Sequence, residues 1–199
     1  MATTELDDLD NLRPATEHDF ARIKWEDFID AIDEAQVHKG ALRVSGDFSV
    51  REGALIVAGD LEVGGTLSLD ETGTLIVLGG LRCQNLYAEG NLEVQGRTAV
   101  TGVIFGFYEA GVTHLVGEVA AQVLLRGNHH FEVADSKLKL AHDFRFTNFS
   151  GLTTGAEPAL RAVLSDAALD QLTDLIGLTR NANGDTDPAA LLRAEGFLR

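Results

Sequence analysis

At 199 residues, 45% of them apolar, the chain is long enough for one compact domain with end pieces around a real core. Its 31 acidic and 16 basic residues give a net charge of −15. This disfavours binding to a nucleic-acid backbone or an anionic membrane surface, both of which call for a basic face. The one cysteine, Cys83, excludes an internal disulfide, and no stretch approaches the ~18 apolar residues of a membrane-spanning helix.

Residues 1–15 read as a mobile acidic arm. The opening MATTELDDLD has no apolar run, so no signal peptide is expected and the cytoplasm is the default compartment. A helix signal follows. Thr16 can cap, with Asp19 three residues on in a weaker form of the capping box. Phe20, Ile23, Phe28, Ile29 and Ile32 recur at helical spacing, with Trp25 close to that face. Glu26, Asp27, Asp30, Asp33 and Glu34 line the other side, and Gly40 is a stop. The pattern predicts a helix over 17–36 that covers the open end of whatever follows. A partner-binding helix is the alternative.

From Leu42 to Phe146 the chain repeats a nine-residue frame: apolar, any, apolar, any, Gly, any, apolar, any, apolar. The copies are Leu42-Val44-Gly46-Phe48-Val50, Leu55-Val57-Gly59-Leu61-Val63, Leu75-Val77-Gly79-Leu81-Cys83, Leu92-Val94-Gly96-Thr98-Val100 and a weaker Thr113-Leu115-Gly117-Val119-Ala121. A degenerate copy reads Leu138-Leu140-His142-Phe144-Phe146. Alternation of period two marks a strand with one buried face. A Gly in phase with it lets the strand bend and backbones approach. The copies start 13, 20, 17, 21 and 25 residues apart. A fixed unit with elastic spacing is the behaviour of a solenoid, whose loops vary while its coils do not. The expected fold is mainly β: a parallel β-helix of about 5–6 coils with helical end caps. An antiparallel sandwich would have no reason to keep the frame in phase. The expected division is 1–40 (arm and capping helix), 41–147 (β-helix) and 148–199 (helical cap).

Stacking the frames gives outward rows. One runs Arg43, Ile56, Ile76, Glu93, His114, Lys139. The next places Ala58 and Leu78 beside Ile56 and Ile76, an apolar patch of the kind that lies under something: a terminal helix, a second copy or a partner. A third row holds Asp47, Asp60, Glu118 and Asp143. The segment 102–111 is the most aromatic of the chain. Phe107 and Tyr108 there suit anchors for a partner, while Phe105 and Phe107 also suit the filling of a wider coil. Cys83 occupies a buried frame position and reads as a small core hydrophobe. After Phe146 the period changes, and short helices over 158–164, 166–176 and 188–196 would cover the last coil.

Chemistry is sparse. Adjacent His129 and His130 point to opposite sides of an extended segment and cannot share a metal. His142 suits a core position. No phosphate loop, Gly-x-Ser-x-Gly or Cys-x-x-Cys occurs. Neither catalysis, metal nor cofactor is expected.

The frame, as in LIVAGDLEV and LIVLGGLRC, resembles the bactofilin-like, polymer-forming cytoskeletal β-helix proteins of bacteria over residues 41–147. That resemblance implies a right-handed parallel β-helix without catalysis and filaments built end to end. The amphipathic flanks depart from it. A weaker likeness is to capped, acidic β-helix immunity proteins of bacteria, which neutralise toxins. The leading expectation is a cytoplasmic, non-enzymatic β-helix that binds a basic protein partner, a toxin or enzyme, through Asp47, Asp60, Glu118, Asp143, Phe107, Tyr108, Ile56, Ile76 or Leu78. The alternative is a self-associating structural polymer.

Overall fold

The computed structural model describes residues 3–25, 34–107, 111–127, 129–147 and 151–152. In chain order the elements are β1 (Thr3–Glu5), β2 (Leu12–Pro14), α1 (Glu17–Phe20), β3 (Gln36–His38), β4 (Leu42–Val44), β5 (Asp47–Val57), β6 (Leu61–Val63), β7 (Thr66–Val77), β8 (Leu81–Cys83), β9 (Asn85–Ala88), β10 (Asn91–Val94), β11 (Thr98–Val100), β12 (Val103–Phe107), β13 (Val112–Leu115), β14 (Val119–Gly127), β15 (His130–Glu132), β16 (Leu138–Thr147) and β17 (Gly151–Leu152).

They wind into a parallel β-solenoid of about five turns with three faces. Face A stacks β3, the end of β5, the end of β7, β10, β13 and β15. Face B stacks β4, β6, β8, β11 and the starts of β14 and β16. Face C stacks β1, the starts of β5 and β7, β9, β12 and the ends of β14 and β16. Alternate residues from all three faces point inward. Leu55, Leu75 and Leu92 pile up in register on face A, Leu61 and Leu81 on face B, and Phe48, Leu67, Leu86 and Ile104 on face C, all at most 2% exposed. Cys83 belongs to this column, and burial pushes its thiol up to about 12, where it stays protonated.

The corners explain the frame. Between faces A and B the glycines stack coil upon coil. A Cβ on Gly59 would lie 2.7 Å from the Gly40 carbonyl carbon, one on Gly79 2.6 Å from that of Gly59, and one on Gly96 2.7 Å from that of Gly79. Backbone sits where a side chain would go, so Gly is required for space. Turning also leaves N–H groups to satisfy, and short polar side chains one coil earlier accept them. Asp47 takes Thr66 N–H at 2.7 Å, Asp60 takes Gly80 N–H at 2.7 Å, and Asn85 takes Val103 N–H at 3.1 Å.

Three expectations are corrected. First, the frames at 42–50 and 138–146 are one face out of phase with the others. They turn from face B to face C, whereas the copies from Leu55 to Ala121 turn from A to B. Leu42 stacks on Leu61, not on Leu55. Apolar-Gly-apolar corners occur at both turns, so the pattern alone could not distinguish them. Second, residues 3–14 are not a free arm. β1 pairs in parallel with Asp47–Ser49, and Leu6, Leu9 and Leu12 pack on the core, so this segment closes the first coil. β2 then pairs antiparallel with β3 and ends the parallel stack of face A with Pro14 at its edge. β17 pairs antiparallel with the end of β16. Third, the helix over 17–36 is described only as α1. Its capping box of Thr16 and Asp19 is present as predicted. The helix stops early because the N–H groups of Lys24 and Trp25, which a continuing helix would give to residues four back, go to the Glu93 carboxylate at 3.0 and 2.8 Å. Residues 26–33, the helices expected over 158–196, and Tyr108 lie outside the described residues.

Candidate protein-binding face

The outer sides of the three faces differ. On face A the row is Val37, Ile56, Ile76, Glu93, His114, Glu132. Ile56 and Ile76 are fully buried there, beneath Ile23 and the half-buried Phe20 and Trp25. The patch read from the sequence is therefore covered by the chain itself, and Ile56, Ile76 and the half-buried Leu78 are not an open partner surface. The covering segment is folded around Asp19, which is 3% exposed. Asp19 accepts two hydrogen bonds of 2.7 Å from the Arg13 guanidinium, and the Thr16 N–H and hydroxyl at 2.9 and 2.7 Å.

These donors, Arg13 foremost, hold the Asp19 carboxyl far below the usual Asp range. A depressed carboxylate stabilises the fold above its unfolded value, near pH 4, and that contribution drains away as pH falls through the folded value. Asp19→Asn is expected to weaken the segment by about 1–3 kcal/mol at neutral pH. The emission of Trp25, the only tryptophan, followed through urea titrations, checks this. The gap between the two proteins should narrow steadily as pH falls from 5 to 2.

On face C the outer row is Ser49, Ser68, Tyr87, Phe105, Leu125, buried throughout at 0–5% exposure. Phe105 packs against Tyr87 and Phe107, with ring centres 5.4 and 5.7 Å away. The aromatic stretch is thus strand β12, not a loop. Phe105 and Phe107 lie on its outer side, opposite the inward Ile104, and neither fills the coil nor stands free for a partner.

Face B is open. Its outer row is Arg43, Glu62, Arg82, Ala99, Ala120, Lys139, one residue per coil. At the strand spacing of ~4.8 Å these six positions span about 24 Å. Every one is exposed or half-buried. Arg43 pairs with Glu62 at 3.3 Å, and Glu118 at the adjoining corner with Arg97 at 3.3 Å and with Lys139. Lys139 holds the Glu118 carboxyl below its ordinary range. Among the described residues Arg82 is in no ion pair. Ala99 and Ala120 leave a flat centre between Arg82 and Lys139.

The acidic row of the sequence is not a row. Asp60 and Glu118 share the A–B corner with Gly80 and Arg97, Asp47 stands at the B–C corner, and Asp143 is on face C paired with Arg126 at 2.9 Å. Each carboxylate has an internal partner: Asp47 and Asp60 cap N–H groups, Glu118 and Asp143 pair with cations. The phase error of the first and last frames produced the apparent line. Glu62, Arg82, Ala99 and Ala120 share one position of the four in-phase frames, and the phase error separated only Arg43 and Lys139 from them. The signal was there: Arg82 stands two residues after Gly80 as Glu62 does after Asp60.

His129 and His130 point apart, His129 buried against Thr113 Oγ1 at 2.9 Å and His130 exposed. Among the described residues no three His, Cys, Asp or Glu side chains gather as metal ligands, and no helix is long and apolar enough to cross a membrane. No protein-family model matches the chain, and no curated protein or solved structure is significantly similar to it.

Proposed function

We propose that this chain is a non-enzymatic, protein-binding β-solenoid that occupies and neutralises a toxin or enzyme, in the manner of an immunity protein. The observation that carries the reading is the contrast among faces: the outer row of face C is buried and that of face A is buried from Val37 to Glu93, while face B is flat, open along its length and lined by fixed charges. A sheet held by coil-to-coil hydrogen bonds is a preorganised surface, which lowers the ordering cost of binding. The chain as a whole has a net charge of −15, whereas the outer row of face B sets Arg43, Arg82 and Lys139 against Glu62 and so calls for carboxylates at the contact itself. Asp7, Asp8, Asp10, Glu52 and Glu71 are exposed elsewhere, and such a field speeds the encounter with a basic partner. The covered first coil weighs against end-to-end filaments.

The test is co-purification from cells with the full chain as bait, beside Ala120→Trp. The bulky indole would stand in the flat centre of face B. A basic heterologous partner should be recovered with the parent chain and bind the variant about 30-fold more weakly, the loss of one hot spot. Recovery of self-associated protein alone, or of micron-scale filaments, would instead support a structural polymer.

A further inference from the structure

Glu93 is a fully buried carboxylate on the outer row of face A. Its oxygens accept Lys24 N–H at 3.0 Å and Trp25 N–H at 2.8 Å, with Gln95 Nε2 at 2.8 Å. His114 Nδ1 lies 3.4 Å away. Gln95 Nε2 also donates to the Arg22 carbonyl at 2.5 Å. The rim is aromatic: the Trp25 ring meets His114 edge-on at 5.0 Å and the exposed His130 at 6.0 Å. Beneath, Ile23 covers Ile56 and Ile76.

Three features of this contact are those of a receptor occupied by a ligand. The bonds to Glu93 come from backbone N–H groups, so they do not depend on which side chains carry them. The buried Ile23, with Phe20 and the aromatic Trp25 packed beside it, and the Gln95 bond to the Arg22 carbonyl add further anchorage. Finally, Glu93 keeps Gln95 and His114 when the segment leaves. A vacated site is therefore still a polar-satisfied cleft with an apolar floor, and its penalty is smaller than that of an orphaned buried charge.

We propose that residues 20–25 are a displaceable strap, and that face A around Glu93 is a second binding site. Its ligand class is a non-helical segment of a partner protein offering two successive backbone N–H groups between an apolar and an aromatic side chain. The strap holds the site in cis, and a partner segment of that chemistry replaces it in trans. The site does not depend on face B.

The probe is a synthetic peptide with the sequence of residues 13–25. The receptor is the full chain carrying Ile23→Ser and Trp25→Ala, so that the only tryptophan in the mixture belongs to the peptide. Its emission should shift to the blue and saturate on titration. Adding Glu93→Gln, which leaves one acceptor for two donors, should weaken binding at least ~10-fold, the loss of one charge-assisted hydrogen bond. Hydrogen exchange of the parent chain supplies the second measurement, independent of whether the variants fold. The Lys24 and Trp25 amides should exchange at least ~100-fold faster than those of β7, through an opening that spares the coils. No binding to a variant that retains its strand signal, equal binding to the Glu93→Gln form, or exchange of Lys24 and Trp25 only together with β7 would each overturn the proposal.

Discussion

Gly79→Leu lowers the stability of the solenoid by at least ~3 kcal/mol, the upper part of the range for overpacking. A Cβ at Gly79 would stand 2.6 Å from the Gly59 carbonyl carbon and 2.7 Å from the Asp60 nitrogen. Both are backbone atoms of the preceding coil and cannot rotate aside. Accommodating the side chain means parting two coils, which breaks Gly79 N–H to Gly59 O at 3.0 Å and Leu61 N–H to Gly80 O at 2.8 Å. Gly40 is the control. It has φ +78° and nothing within 4 Å of its Cβ position, so Gly40→Ala bears backbone strain alone, roughly 1–2 kcal/mol. Guanidinium denaturation of the three proteins checks the order. Equal midpoints for Gly79→Leu and Gly40→Ala would show that the coils are not in contact at this corner.

Leu75→Ala costs about 2–5 kcal/mol, the range for truncating a fully buried leucine. Leu75 is 0% exposed and stands in register between Leu55 and Leu92. Its neighbours along the axis are fixed by ladders on both sides, so the cavity has little freedom to collapse. The expected result is a lower midpoint with an unchanged denaturant slope. A loss below ~1 kcal/mol would place Leu75 outside the central column.

The repeat carried most of the architecture. Alternation of Leu55-Val57, Leu75-Val77 and Leu92-Val94 around spaced glycines is a direct consequence of one buried strand face and a crowded corner, so the sequence displays it. The close approach of Gly59 and Gly79 to neighbouring coils is confirmed by their 2.6–2.7 Å Cβ distances to backbone. Which corner a frame turns was not legible. Ser45-Gly46-Asp47 and Ala58-Gly59-Asp60 look alike but join different pairs of faces. That one ambiguity lined up acidic residues from different corners and set Arg43 and Lys139 of face B in the row of Ile56 and Ile76. The strap was illegible for another reason. Its decisive bond joins Trp25 to Glu93, 68 residues away, and no local pattern announces that a carboxylate will halt a helix at that distance. A hint remained in Glu93 itself, a charge continuing the row of Ile56 and Ile76.

The register also determines how the molecule bears a load. The ends of the described chain, β1 and β17, belong to opposite ends of the stack. Tension between them runs along the axis, across the ladders that join one coil to the next. Such hydrogen bonds open in sequence, like a zipper, instead of shearing together. Each coil that peels away frees about 19 residues, as from Leu42 to Leu61, or ~65 Å of extended chain. The body would therefore lengthen in nearly equal steps under modest force. Drawn sideways across a single face, the same ladders would act in parallel and the body would resist as a block.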